Sequence, residues 1–136
     1  MLRILLAEDN PGDVRLFLEA LNSRNLQFDL SVVEDGQKAL ATIASVAAGD
    51  PAKCPDLIVL DVNLPKHNGD EVLRKIRAEP KLRDIPVIML TSSESPADQA
   101  RAIDLGADLY IRKPSDLQEL LEIARVIEDV VRRSRA

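Results

Sequence analysis

Apolar residues recur along the chain with two periods, and the alternation between them sets out an architecture. Arg3-Ile4-Leu5-Leu6-Ala7 is a short apolar run that stops at acids, which suits a buried strand. Asn10-Pro11 offers an N-cap and a first-turn proline, and Val14, Phe17, Leu18 and Leu21 follow at i, i+3, i+4 and i+7, one face of a helix. Phe28, Leu30 and Val32 alternate as a second strand that ends at Glu34-Asp35-Gly36, and Ala39, Leu40, Ile43, Ala44 and Ala47 return to helical spacing. Gly49-Asp50-Pro51 and Pro55 bracket a loop. Leu57 to Leu60, between Asp56 and Asp61, reads as a central parallel strand covered on both faces. The turn from Asn63 to Gly69 leads to a helix with Val72, Leu73 and Ile76 inward, and Ile85 to Leu90 is the next buried strand. Ser95-Pro96-Ala97-Asp98 resembles a capping box with Asp in place of Glu, and Gly106 stands where that helix should end. Leu109-Tyr110-Ile111 makes a fifth strand and Leu117 to Val131 a final helix.

Five strands alternating with five helices predict an α/β fold in one domain, residues 1–136. Its sheet should be parallel and doubly wound, with right-handed crossovers and helices on both faces. Ligands of such sheets bind beyond the carboxyl ends of the strands. Composition narrows the function. The formal net charge of −5 and a pI near 4.9 argue against a nucleic-acid groove. Four-residue apolar runs are far below the ~20 residues of a membrane span, and Glu8 and Asp9 interrupt any signal-peptide core. The single cysteine, Cys54, excludes an internal disulfide and fits a reducing compartment, so a cytoplasmic protein is expected.

The polar residues that follow the strands gather at one end of this inferred sheet. Glu8 and Asp9 follow the first strand, Asp61 ends the third, Thr91 and Ser92 follow the fourth, and Lys113-Pro114 follow the fifth. Alone, each has an ordinary reading as a solvated acid, a turn cap or an edge charge. Together, three carboxylates and one ammonium call for a cation, because each carboxylate pair at ~5 Å repels by roughly 3 kcal/mol at an effective dielectric near 20. Hard oxygen ligands favour Mg²⁺ or Mn²⁺. A divalent ion beside a carboxylate nucleophile, with a lysine and a hydroxyl opposite, is an arrangement for phosphoryl transfer that would leave an acyl phosphate on Asp61.

With these residues in view the chain resembles a response-regulator receiver domain of bacterial two-component signalling, from Ile4 to the last helix. The resemblance implies a flavodoxin-like sheet in the order 2-1-3-4-5 and a partner histidine kinase. It implies that Glu8 and Asp9 are the acidic metal pair, that Asp61 is the phosphoacceptor and metal ligand, and that Asn63 offers a backbone carbonyl to Mg²⁺. It further implies that Thr91 is the switch hydroxyl, Tyr110 the switch aromatic and Lys113 the phosphate-binding lysine, with Pro114 where the family has a cis proline. Pro65 and Gly69 occupy the family's turn positions. The stretches from Glu8 to Asp13 and from Leu64 to Leu73, and the loop around residues 49–55, look like single-domain receivers that partner phytochrome-type kinases. No output domain is expected.

Phosphorylation would draw Thr91 toward the new oxygens, let Tyr110 turn inward and change the face made by the fourth helix, fifth strand and fifth helix. On the last helix, Leu117, Leu120, Leu121, Ala124, Ile127 and Val131 form a core stripe, and Ile123, Val126 and Val130 widen it to an arc of roughly 200°. That width predicts a self-association surface on Ile123, Val126 and Val130, most simply a symmetric homodimer. His67 and Cys54 are expected to be ordinary loop side chains. The expected role is a signalling switch, not a metabolic enzyme. A phosphohydrolase with an aspartyl-phosphate intermediate would want a second acid two residues after the nucleophile, where Asn63 stands. A phosphate-independent binding module would not need the complete set of site residues.

Overall fold

The computed structural model describes residues 1–49, 54–92 and 95–135. Ten elements alternate as β1 (Leu2–Ala7), α1 (Pro11–Asn22), β2 (Phe28–Val33), α2 (Gly36–Ala47), β3 (Leu57–Leu60), α3 (Gly69–Ala78), β4 (Val87–Thr91), α4 (Pro96–Asp104), β5 (Leu109–Arg112) and α5 (Leu117–Arg135). The strands pair in parallel in the order β2-β1-β3-β4-β5, so the expected doubly wound sheet is present. Most of the loop expected between residues 49 and 55 lies outside the described residues.

Local chemistry sets the helix starts. Asn10 accepts from the backbone N–H groups of Gly12 and Asp13 ahead of Pro11, Asp35 from that of Lys38, and Asn68 from that of Glu71. Ser95 accepts from Asp98 N–H at 3.4 Å, as the capping pattern implied. Helix α4 ends in a Schellman motif: Ala107 N–H donates to Ala102 and Gly106 N–H to Ile103, with Gly106 at φ 106°.

Two apolar layers sandwich the sheet. Leu5, Ala7, Ile58, Leu60, Val87 and Met89 meet α2, α3 and α4, while Ile4, Leu6, Leu57, Val59, Ile88 and Leu90 meet α1 and α5. Alternation along β4 and β5 carries Tyr110 onto the first face as the lateral partner of Met89.

Helix α5 departs from the expected phase. Leu117 and Leu121, placed in the core stripe by spacing, are 69% and 44% exposed, while Ile123 is only 7% exposed and packs with Phe17 and Leu21. The cause is the contact with α1, where Leu120 and Ala124 meet Ala20. That contact rotates Leu120, Ile123, Ala124 and Ile127 inward as one i, i+3, i+4, i+7 face. Ile123 is therefore a core residue and leaves the expected self-association surface; Val126 and Val130 are half-buried.

Candidate functional site

The carboxyl ends of β1, β3 and β5 open onto a cleft of about 740 Å³ lined by Glu8, Asp9, Asp13, Asp61, Asn63 and Lys113 among others. Each strand delivers its charged residue where the apolar run stops. Glu8 and Asp61 directly follow β1 and β3, and Lys113 directly follows β5. Burial is unequal. Glu8 is 3% and Asp61 5% exposed, while Asp9 is exposed.

Lys113 Nζ lies 2.7 Å from Glu8 Oε1, 2.7 Å from Asp13 Oδ2 and 3.0 Å from Asp61 Oδ2. Burial works against the ammonium, but its hydrogen bonds to Asp13, Glu8 and Asp61 outweigh that and raise its pKa well above the usual lysine range. Glu8 moves up as well, to about 7: burial disfavours its charge most, and Asp61 repels it, against the lowering hydrogen bond from Lys113. The two directions agree, because one ammonium divided among three acids is held firmly while each acid receives only a share of its charge.

Carboxylate oxygens of Glu8, Asp9 and Asp61 all come within 4.8 Å of one another. An all-oxygen donor set of this charge fits a hard divalent cation. Asn63 lines the same cleft and donates its N–H to Asp61 Oδ1 at 3.0 Å, which orients the carboxylate. Thr91 ends β4 fully buried, two residues beyond the Met89 that pairs with both Leu60 and Tyr110. Thr91 and Tyr110 therefore share one face of the sheet, beside the end of β3. Among the described residues no peptide bond is cis, so Lys113–Pro114 is trans, contrary to the expectation, and trans is the lower-energy form of an isolated X–Pro bond.

Three residues contribute through contacts that sequence reasoning does not reach. Asp13 binds Lys113 across 100 positions, and only its place in the first turn of α1 marks it. Gly69 packs so closely that a Cβ would stand 2.4 Å from the Asp61 carbonyl oxygen. Gly36 lies under the 65–67 turn, where a Cβ would stand 2.0 Å from His67 O, and it donates its N–H to Pro65 O at 3.0 Å. The turn after Asp61 is thus fastened to the start of α2, aided by Lys66 and Asp35 at 3.5 Å. His67 pairs with Glu71 at 2.8 Å on the surface, and Cys54 is a free, half-buried thiol.

Residues 4–125 match the response regulator receiver domain family. Response regulator Rcp1 of Synechocystis sp. is 36% identical over 125 residues, covering 92% of this chain and 85% of its own. The crystal structure of the phosphorylated cyanobacterial phytochrome response regulator RcpA superposes with TM-score 0.82 at 38% identity, covering 93% of this chain and 91% of that one. The Mn²⁺-bound form of Rcp1 gives TM-score 0.82 at 35% identity over 95% of this chain and 93% of that one. Other relatives are longer, and the chain spans about half their length. Among the described residues no helix is long and apolar enough to cross a membrane. The chain belongs to the response regulator receiver domain family and acts in two-component phosphorelay signalling.

Proposed function

We propose that this receiver accepts a phosphoryl group from a histidine kinase onto Asp61, using Mg²⁺ held by Glu8, Asp9, Asp61 and the backbone carbonyl of Asn63. The observation that carries this reading is the placement of Lys113 Nζ 3.0 Å from Asp61 Oδ2, beside acids whose oxygens gather within 4.8 Å. An Asp61 oxygen forms the new bond to phosphorus. The P–N bond to the kinase phosphohistidine breaks, and its electron pair stays on the imidazole nitrogen. Lys113 binds a phosphoryl oxygen and offsets its charge, while Asn63 N–H keeps the carboxylate turned toward the cleft. When bound, the divalent ion supplies further charge neutralisation at the phosphoryl oxygens. Hydrolysis then returns Asp61 to a carboxylate by attack of water at phosphorus.

Thr91 and Tyr110, on one sheet face, would carry the change to the α4-β5-α5 face. The kinase is of the phytochrome type on this reading, supported by the likeness to the cyanobacterial phytochrome response regulator RcpA, and the protein works in the cytoplasm. A phosphorylated homodimer using Val126 and Val130 completes it; sedimentation at concentrations on the order of 10 µM should show the dimer, and a monomer there would remove that part.

Incubation with Mg²⁺ and acetyl phosphate, followed by intact-protein mass spectrometry, should show one phosphoryl adduct on the wild type and none on Asp61→Asn. A wild type that stays unmodified with this donor and with phosphorylated kinase contradicts the proposal.

A further inference from the structure

One of the three acids on Lys113 lies outside the acid trio that fits a cation. Asp13 Oδ2 is 2.7 Å from Nζ, nearer than Asp61 Oδ2 at 3.0 Å. Glu8 and Asp61 belong with Asp9 to the set of oxygens within 4.8 Å, and Asp13 does not. Its side chain is also the most open of the three, 29% exposed against 3% for Glu8 and 7% for Asp61. The Asn10 cap starts α1 so that Asp13, its third residue, lines the cleft opposite β5.

Lys113 Nζ donates to Asp13 Oδ2 and Asp61 Oδ2, and Glu8 Oε1 stands 2.7 Å away, so three acids share an ammonium with three N–H groups. A phosphoryl oxygen that is to bind Lys113 competes with these acids for it. Asp13 is the acid with no other role in the transfer, and its exposure means that water replaces Lys113 there at little cost.

We propose that Asp13 is a positioning residue that holds Lys113 back from the phosphoryl position, so that release of Lys113 from Asp13 limits the rate at which Asp61 is phosphorylated. The inference rests on Asp61 being the acceptor. With acetyl phosphate as donor, an Asp61 oxygen bonds to phosphorus, the P–O bond to the acetyl group breaks, and acetate leaves with that electron pair. Lys113 contributes a hydrogen bond and a charge, and it transfers no proton. Neutralising Asp13 frees one N–H of Lys113 before the donor arrives.

The test compares rates of adduct formation by intact-protein mass spectrometry at saturating Mg²⁺ for the wild type, Asp13→Asn, Asp13→Glu, Lys113→Ala and the Asp13→Asn, Lys113→Ala double variant. Calorimetry without a donor gives the Mg²⁺ affinity of each. Asp13→Asn should react about tenfold faster, while Asp13→Glu, which keeps the charge, returns the rate towards the wild-type value. Asp13→Asn should still bind Mg²⁺, more weakly for the lost negative charge, because Asp13 is no ligand. In the Lys113→Ala background the same Asn substitution should change the rate by less than about twofold. An Asp13→Asn rate equal to or below the wild type overturns the proposal, as does loss of Mg²⁺ binding in Asp13→Asn. An acceleration that survives without Lys113 overturns it too, since the effect would then not pass through the ammonium. A wild type that takes up no phosphoryl group removes Asp61 as the acceptor and this inference with it, whereas a labelled wild type with an unaccelerated Asp13→Asn removes the inference alone.

Discussion

Two cations, each largely covered, serve opposite ends of the sheet and have contrary surroundings. Arg77, at the amino ends of β4 and β5, donates to the carbonyl oxygens of Gly106, Arg83 and Ile85 at 2.9, 2.9 and 2.7 Å. It donates also to Asp108 Oδ2 at 2.9 Å, an oxygen that accepts from Val87 N–H at 2.7 Å as well. Its neighbourhood is one cation, one anion and neutral dipoles. At the carboxyl ends, among the described residues, the Lys113 ammonium faces Glu8, Asp9, Asp13 and Asp61, so negative charge is in excess when every acid is ionised. A balanced cation with four hydrogen bonds ties α3, α4 and two strands together. An outnumbered one marks a place that awaits more positive charge, and stability is given up there for chemistry.

Cutting the balanced network should cost most. Arg77→Met removes four hydrogen bonds and leaves Asp108 without its cation, so denaturant unfolding should show a loss of about 2 to 3 kcal/mol. A loss below about 1 kcal/mol would break the contrast, because Arg77 would then contribute no more than a surface pair.

A smaller effect follows from Glu8, whose pKa stands near 7 in the metal-free fold against an ordinary 4.5. Because the native state keeps a proton that the unfolded chain releases, metal-free stability should fall as pH rises from about 4.5 to 7. A divalent ion must displace that proton. Its affinity, measured by calorimetry, should rise about tenfold between about pH 6 and about pH 8, roughly 1.4 kcal/mol, and level off above. A pH-independent affinity would show that Glu8 is already ionised in the metal-free protein.

The smallest effect sharpens the comparison from the acidic side. Asp61→Asn relieves the crowding of acids and keeps an oxygen for Asn63 N–H, so the metal-free variant should gain about 1 kcal/mol in thermal unfolding. Added Mg²⁺ should stabilise the wild type and leave the variant nearly unmoved. A destabilised variant would mean that the cleft is balanced after all.

Features written in local order were legible in the chain. Apolar runs that stop at an acid, a hydroxyl or a basic residue marked four strand ends, and with them Glu8, Asp61, Thr91 and Lys113; the caps at Asn10 and Ser95 and the helix end at Gly106 needed only neighbours within a turn. What stayed hidden depends on packing across crossovers. Nothing near Asp13 announces Lys113, and nothing near Arg77 announces Asp108, because both pairs form only after the sheet is wound. The phase of α5 was misplaced for the same reason. An apolar arc wider than one face is resolved by the neighbour it meets, here Ala20 on α1, which turned Ile123 inward and left Leu121 outside. Gly36 read only as part of the end of the second strand, whereas its role is the close approach of His67.

Peptide mapping of the protein after reaction with acetyl phosphate, with Mg²⁺ and with a chelator, tests the reading of the acidic cleft most directly. The phosphoryl group should be found on the peptide holding Asp61 as a base-labile acyl phosphate, and only when Mg²⁺ is present. A modification at His67 or another residue, or one that forms equally well under chelation, would contradict it.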